Sequence, residues 1–138
     1  MPVTLTFDTT HQYMDTRDGI NVPITLAVGM QSVEFLAKLD TGASYCIFER
    51  KYGEMLTLDV DSGRLQRFQT VAGWFIAYEH EVTIQTLGLE FSAAVFFAQN
   101  SSFNRNFLGR SGWLDRLRIG IIDYDRLLFV GPYQSTLV

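Results

Sequence analysis

The sequence predicts a mostly β protein, and three observations lead to this fold class. Short runs rich in Val, Ile, Phe, Thr and Tyr recur along the chain, as is typical of strands. Turn-forming Gly and Asp residues separate many of these runs. The 138 residues, of which 47% are hydrophobic and 19% charged, suffice for one substantial core. We therefore expect a single domain over residues 1–138, built as a sheet sandwich or a small barrel.

The individual strands follow from the positions of these runs. The predicted strands are Val3 to Phe7, Val22 to Val28, Val33 to Leu39, Tyr45 to Phe48, Phe68 to Val71, Phe75 to Ile84, Phe91 to Ala98 and Arg126 to Val130. A different pattern occupies Gly112 to Gly120, where Trp113 and Leu117 recur at helical spacing with charged residues between them. This segment predicts one short helix towards the C-terminus.

Composition narrows the choice of partners and compartment. A net charge of −4 with scattered Lys and Arg offers little attraction to phosphate backbones, so we expect no nucleic acid partner. No apolar run approaches the roughly 18 residues that span a bilayer, and the first residues do not read as a secretory leader, so we expect no membrane partner. The single cysteine, Cys46, cannot form an internal disulfide, which favours a reducing, cytoplasmic compartment.

The segment Phe35 to Ser44 carries the candidate catalytic group. An apolar run ends at Asp40, and only small residues follow, in the order Thr41-Gly42-Ala43. Gly42 and Ala43 would let backbone N–H groups approach the carboxylate closely, and the Thr41 hydroxyl could fix the loop. This pattern presents an acid at a tight turn. By itself it fits either a catalytic aspartate or an ordinary aspartate between a strand and a turn.

A second motif, Asn106 to Arg110, places two apolar residues and a glycine directly before the predicted helix. An Asp-Thr-Gly-Ala turn followed at this distance by Asn-Phe-Leu-Gly-Arg resembles the retroviral aspartic proteases and their cellular, retropepsin-like relatives. The resemblance runs from about Leu36 to about Gly120. It implies an acid-protease lobe, a closed β-barrel or sandwich with a flap hairpin and one short C-terminal helix.

The resemblance also implies roles for individual residues. Asp40 would be the catalytic aspartate, Thr41 would reach across to the partner's loop, and the Gly42 backbone would line the catalytic water. The hairpin from Gln69 to Ile84 resembles the flap that covers a bound peptide. The residues expected to contact the substrate are Ala43, Ser44, Gly73, Trp74, Phe75, Leu108 and Gly109.

One aspartate is not enough for this chemistry. Peptide hydrolysis needs a base to deprotonate water and an acid to protonate the carbonyl oxygen or the leaving nitrogen. Two carboxylates about 4 Å apart repel by roughly 4 kcal/mol at an effective dielectric near 20, so such a pair shares one proton, as in aspartic proteases generally. The chain holds one Asp-Thr-Gly-Ala turn. The sequence therefore predicts a homodimer that hydrolyses a polypeptide substrate with an Asp40 pair, without a metal or other cofactor.

Other chemistry-bearing residues compete with this prediction. Asp61-Ser62-Gly63 could supply a similar catalytic triplet, but it lacks the preceding apolar strand and favours a solvent-exposed turn. His11 and His80 lack neighbouring ligands at metal-binding spacing, so structural positions are favoured. Cys46 lacks an identifiable base and is predicted to be a small core residue.

Two further interpretations of the chain stay open at this stage. Where the viral enzymes often place an acid, this chain has Ser44, so Arg110 would lack its usual salt-bridge partner. A homodimeric module with the same fold that binds peptide without cleaving it fits the sequence as an alternative function. An unrelated β-sandwich with a fortuitous motif would place Asp40 far from any two-fold axis.

Overall fold

The computed structural model describes residues 1–133, and they form ten strands and one short α-helix. The elements are β1 (Thr9–Gln12), β2 (Asn21–Val28), β3 (Gln31–Leu39), β4 (Ile47–Phe48), α1 (Arg50–Met55), β5 (Arg64–Thr70), β6 (Gly73–Thr86), β7 (Leu89–Ala98), β8 (Phe107–Leu108), β9 (Leu117–Ile122) and β10 (Leu127–Pro132). Single 3₁₀ turns lie at Val60–Ser62, Leu114–Arg116 and Asp123–Asp125. The mostly β prediction is confirmed.

Six strands close into a barrel. Their order is β2-β3-β8-β4-β7-β6, and β6 pairs back onto β2 through Thr83 to Thr86. The β3–β8 and β4–β7 pairs are parallel, and the others are antiparallel. The 14-residue β6 extends beyond the barrel, where it pairs with β5. Closure removes exposed edges from this part of the sheet.

The alternation of buried and more accessible side chains along β2 explains how the barrel strands form. Val22, Ile24 and Leu26 are buried, whereas Pro23 and Thr25 between them are more accessible. Because successive side chains of a strand point to opposite faces, one face of β2 faces the core. Each such aliphatic side chain contributes about 1.5–3 kcal/mol when fully buried. The same core takes in Trp113, which precedes β9, and Leu128 of β10.

The remaining strands form a separate three-stranded sheet, in the order β1-β10-β9. The strand predicted over Arg126 to Val130 is present as β10. The strand predicted over Val3 to Phe7 is wrong: in residues 1–133 that segment has no strand pairing, and the paired strand is β1, which starts at Thr9. Phe7 instead lies against Gly120 of β9, and its ring centroid is 5.9 Å from that of Phe129.

The helix predicted over Gly112 to Gly120 is also largely wrong. Only Leu114–Arg116 is helical, as a single 3₁₀ turn, and Leu117 already begins β9. The backbone of β9 pairs with β10 from Leu117↔Pro132 to Ile122↔Leu127. The nine residues from Gly112 to Gly120 are too few for a self-sufficient helix, so pairing with a neighbouring strand prevails.

The α-helix of the described chain lies elsewhere, in α1 between β4 and β5. It is held by tertiary contacts, since Gly53 packs so closely that a Cβ there would lie 2.9 Å from Val60 and 3.0 Å from the ring of Phe97. Arg50 donates to Glu54 one turn later and to Asp61 in the following loop. In residues 1–133 no helix is long and apolar enough to cross a bilayer.

Candidate active site

Asp40 lies immediately after β3, at the point where this strand meets β8. Its backbone N–H donates to the carbonyl of Leu108 at 3.0 Å, which continues the parallel pairing of Leu39 with Leu108. The N–H of Leu39 donates to the Ile20 carbonyl at 2.8 Å. The backbone on both sides of the carboxylate is thus fixed by the barrel, which is the condition for a precisely placed catalytic group.

The residues after Asp40 form a tight turn around its carboxylate. The Ala43 N–H donates to the Asp40 carbonyl at 3.1 Å, and the Gly42 N–H donates to Asp40 Oδ1 at 2.9 Å. A Cβ on Gly42 would lie 3.3 Å from that oxygen, so a small residue suits the turn. No side-chain or backbone donor among residues 1–133 bonds to Asp40 Oδ2, which leaves it available to a water or a substrate.

The second sequence motif packs directly against this turn. The Arg110 N–H donates to the Ala43 carbonyl and the Ser111 N–H donates to the Ser44 carbonyl, both at 2.8 Å. Gly109 permits this contact because a Cβ there would lie 2.2 Å from the Tyr45 carbonyl oxygen. The structure therefore brings the Asp40 turn and the Phe107–Arg110 segment together. We call this segment the floor.

Asn106 anchors the start of the floor, a role that the sequence did not reveal. Its Oδ1 accepts from the Glu49 N–H at 2.9 Å, and its Nδ2 donates to Glu49 Oε2 at 2.8 Å. Its backbone carbonyl accepts from the Lys38 N–H at 2.9 Å. The one sequence signal for this contact is Glu49, which directly follows the buried strand β4. An acid at the end of a buried strand needs a hydrogen-bond partner.

The predicted hairpin is present as β5 and β6, joined by Val71-Ala72. Gly73 has φ +124°, which favours glycine, and the Thr70 hydroxyl accepts from the Ala72 N–H and donates to the Gly73 carbonyl. Trp74 is 66% exposed, whereas Phe75 is half-buried. Because successive strand residues face opposite sides, Trp74 and Phe75 cannot both line one pocket.

Aromatic rings from the hairpin, the floor and neighbouring segments pack against one another. We call this group the aromatic cluster, and its members are Tyr45, Phe68, Phe75, Phe96, Phe103 and Phe107. Phe68 stacks on Phe75 at 5.2 Å and meets Tyr45 edge-on at 5.9 Å. The sequence analysis singled out Phe75 but missed the cluster, because its members come from separate segments of the chain.

The rival triplet has a structural explanation. Asp61 lies in a 3₁₀ turn, and its Oδ1 accepts from Arg50 Nη1 at 2.7 Å. A Cβ on Gly63 would lie 2.3 Å from the Glu79 carbonyl oxygen, which explains the glycine by packing. An exposed, salt-bridged carboxylate within a turn lacks the fixed surroundings of Asp40. The solvent-turn prediction agrees with this geometry.

The two histidines each lie within hydrogen-bonding distance of a backbone carbonyl. Nε2 of His11 lies 3.0 Å from the Asn21 carbonyl oxygen, and Nε2 of His80 lies 2.8 Å from that of Val60. The exposed Arg110 takes part in none of the ion pairs formed within residues 1–133. Over the same residues, no three His, Cys, Asp or Glu side chains are grouped closely enough to hold a metal ion.

Cys46 is completely buried beside the floor, and burial raises the pKa of its thiol to about 12. We expect the folded protein not to react with a thiol-specific reagent at pH 8, because the thiolate is the reactive form. The denatured protein should react completely in the same time, as a spectrophotometric thiol titration would show. Because the thiol of the unfolded chain ionises near pH 9, its contribution to stability should fall as the pH rises from about 9 to 12. Rapid reaction of the folded protein would contradict this burial.

Comparison with known proteins places this geometry among solved structures. No protein-family model matches the chain, and no curated protein matches it. The structure is similar to a retropepsin-like aspartic protease from Rickettsia conorii, with a TM-score of 0.60 and 20% identity over 88% of this chain and 97% of that one. It is also similar to EIAV protease complexed with the inhibitor HBY-793, with a TM-score of 0.54 and 18% identity over 70% of this chain and 86% of that one. At these identities the likeness shows a shared fold.

Proposed function

We propose that this chain, which has the retropepsin-like fold, is an aspartic endopeptidase that works as a homodimer. The observation that carries the proposal is the Asp40 turn, whose carboxylate is bonded to the Gly42 N–H at 2.9 Å and whose backbone is joined to the floor. Both structures named above are described as proteases, which supports a hydrolase with this fold. Polypeptide is the proposed substrate.

In the proposed mechanism, one Asp40 from each subunit forms the catalytic pair. One carboxylate accepts a proton from the attacking water, and the other, protonated, donates to the carbonyl oxygen of the scissile bond. Two such groups in contact hold a single proton over a wide pH range because a second negative charge is strongly disfavoured. The Gly42 N–H orients the carboxylate, which leaves Oδ2 to meet the water. When the tetrahedral intermediate collapses, the carboxyl that took the proton of the water donates it to the leaving nitrogen, and the other carboxylate takes back its proton from a hydroxyl of the intermediate as the C–N bond breaks.

The surface of the single chain supports the homodimer. Thr41 and Gly42 are exposed beside Asp40, where a partner turn would have to lie. Val3 and Leu5 are 87% and 58% exposed, although their alternating pattern is typical of a strand. Phe7 packs on Gly120, which brings this segment next to the exposed Ile121 and Ile122 of β9. Exposed apolar side chains of this kind are candidates for an interaction site, which supports pairing of two copies here.

The proposed peptide lies extended between the hairpin and the floor, where an added strand can bond to exposed backbone. Leu108 and Gly109 belong to the floor and are buried in the single chain, so in this proposal they support the site from beneath. The more accessible Ala43 and Ser44 lie at the junction of the floor with the Asp40 turn. Gly73 and the exposed Trp74 lie at the tip of the hairpin, and in the proposed complex they cover the peptide from the other side.

We expect peptidase activity per subunit to rise with protein concentration until dimerisation is complete, because a monomer has half of the site. The measurement is cleavage of a mixed peptide library between about pH 4 and 7, where a carboxylate pair can hold one proton. Sedimentation of the same samples gives the fraction of dimer. Activity that stays constant while the dimer fraction changes would contradict the shared site. Peptide binding without cleavage by a proven dimer would instead favour a binding module.

A further inference from the structure

Phe103 is a half-buried aromatic residue in an otherwise polar loop between β7 and β8. Its neighbours Ser101, Ser102, Asn104 and Arg105 are exposed. The Phe103 N–H donates to the Asn100 carbonyl at 3.1 Å, and the Ser102 N–H donates to Asn100 Oδ1 at 2.9 Å, so a compact turn presents the ring. An apolar side chain fixed in this way packs against other residues of the protein rather than facing solvent.

The ring of Phe103 connects the hairpin with the floor. Its centroid is 4.9 Å from that of Phe75 on β6 and 6.5 Å from that of Phe107, which begins β8. Phe107 is followed by Leu108, whose carbonyl accepts the Asp40 N–H. The Phe103 ring thus lies between the hairpin and Phe107, the residue directly before Leu108, whose carbonyl supports the candidate catalytic turn.

The outer part of the hairpin has few other attachments to the barrel. Pairing of β6 with β7 begins at Ala77, and the Gln99 N–H reaches the Ile76 carbonyl at 2.9 Å. Beyond that point, β5 pairs with β6 alone among the described strands. Side-chain contacts of Phe68 and Phe75 therefore decide whether this part of the hairpin lies on the floor.

We propose that Phe103 is a positioning residue that holds the hairpin closed over the active site. Its ring contributes a contact that exists in the closed arrangement and is lost when the hairpin lifts. The catalytic consequence rests on the proposed function, since a peptide held under the hairpin needs the closed form. If fewer molecules are closed, apparent peptide affinity falls by the same fraction.

The test is Phe103→Ala, studied by amide hydrogen exchange of the free protein. Because an isolated two-stranded hairpin is marginally stable in water, amides of Arg64–Thr70 lose protection when the contact opens. We expect these amides and that of Gln99 to exchange about two- to tenfold faster, the range set by aromatic pair energies. With a cleaved peptide, KM should rise by a similar factor while kcat changes less.

Two further variants separate positioning from general destabilisation. Phe103→Tyr keeps the ring and should restore slow exchange. Phe35→Ala removes a half-buried ring that stacks on Tyr52 of α1 at 3.8 Å, and it should leave the exchange of the Arg64–Thr70 amides unchanged relative to the β9–β10 pair. The proposal is overturned if Phe103→Ala leaves hairpin exchange unchanged, or if β2 is accelerated equally. Exchange needs no cleavage, so an inactive protein with a faster hairpin would count against the proposed function alone.

Discussion

Replacing Asp40 by Asn should abolish peptide cleavage, with a loss of about 1000-fold or more in kcat/KM. Asn can neither accept a proton from water nor donate one as an acid, and in a symmetric dimer both copies carry the change. A single proton-transfer group contributes about 100- to 10,000-fold, and here one substitution removes the base and the acid together. The measurement is kcat/KM on a peptide that the unchanged protein cleaves.

The fold should survive this substitution, which makes the loss of activity interpretable. The Asn side-chain oxygen can still accept the Gly42 N–H, which reaches Asp40 Oδ1 at 2.9 Å. Dimer fraction and unfolding midpoint should therefore change little. Asp61→Asn is the matched control, since it alters the rival triplet, and we expect it to retain activity. Unchanged cleavage by Asp40→Asn would show that Asp40 is not the catalytic group, and inactivity of Asp61→Asn alongside it would assign that role to the rival triplet.

Sequence patterns predict those parts of the fold that depend on local chemistry. Alternating apolar residues predict β2 and β3, because one face of each strand is buried. Small residues after Asp40 predict the backbone bond from Gly42 to its carboxylate, which the structure contains. The contact between the Asp40 turn and the floor joins segments that are more than 60 residues apart, which local patterns alone do not bring together.

Where prediction failed, contacts between distant segments outweigh local preference. The alternation of Val3, Leu5 and Phe7 is that of a strand, yet within residues 1–133 no strand pairs with it. The spacing of Trp113 and Leu117 is helical, but β10 supplies a pairing partner for Leu117. Intrinsic preference is a weak guide when tertiary contacts are available.

The surroundings of the candidate site also contain features that the sequence does not reveal. Helix α1 contains an internal glycine and has no side-chain cap, so nothing local indicates it; its close packing on Phe97 becomes visible only in the fold. The Glu49–Asn106 contact joins residues 57 positions apart. A single sequence cannot pair residues at such a separation, and the aromatic cluster is hidden for the same reason.

Gly109→Ala should both destabilise the protein and misplace the Asp40 turn. The added Cβ would lie 2.2 Å from the Tyr45 carbonyl oxygen and 2.8 Å from that of Ala43, so backbone must move. Such movement strains the bonds that Arg110 and Ser111 donate to the turn. Overpacking against side chains costs about 1–3 kcal/mol, and backbone moves aside less easily than a side chain. We therefore expect the free energy of unfolding to fall by about 3 kcal/mol or more. Displacement of a catalytic group by about 1 Å can cost 100-fold in rate.

Denaturant unfolding and kcat/KM of the same variant test both effects, and Gly29→Ala is the control. Gly29 has φ +58° in the β2–β3 turn, and a Cβ added there would meet no atom of a non-adjacent residue within 4 Å, so alanine meets backbone strain alone. We expect that change to cost about 1 kcal/mol and to leave activity intact. The prediction is contradicted if the Gly109→Ala protein is as stable and active as the Gly29→Ala protein. The floor could then move away from the Asp40 turn with no effect on stability or activity. Loss of activity at full stability would instead isolate the positional effect, since the carboxylate would then be displaced within an otherwise intact fold.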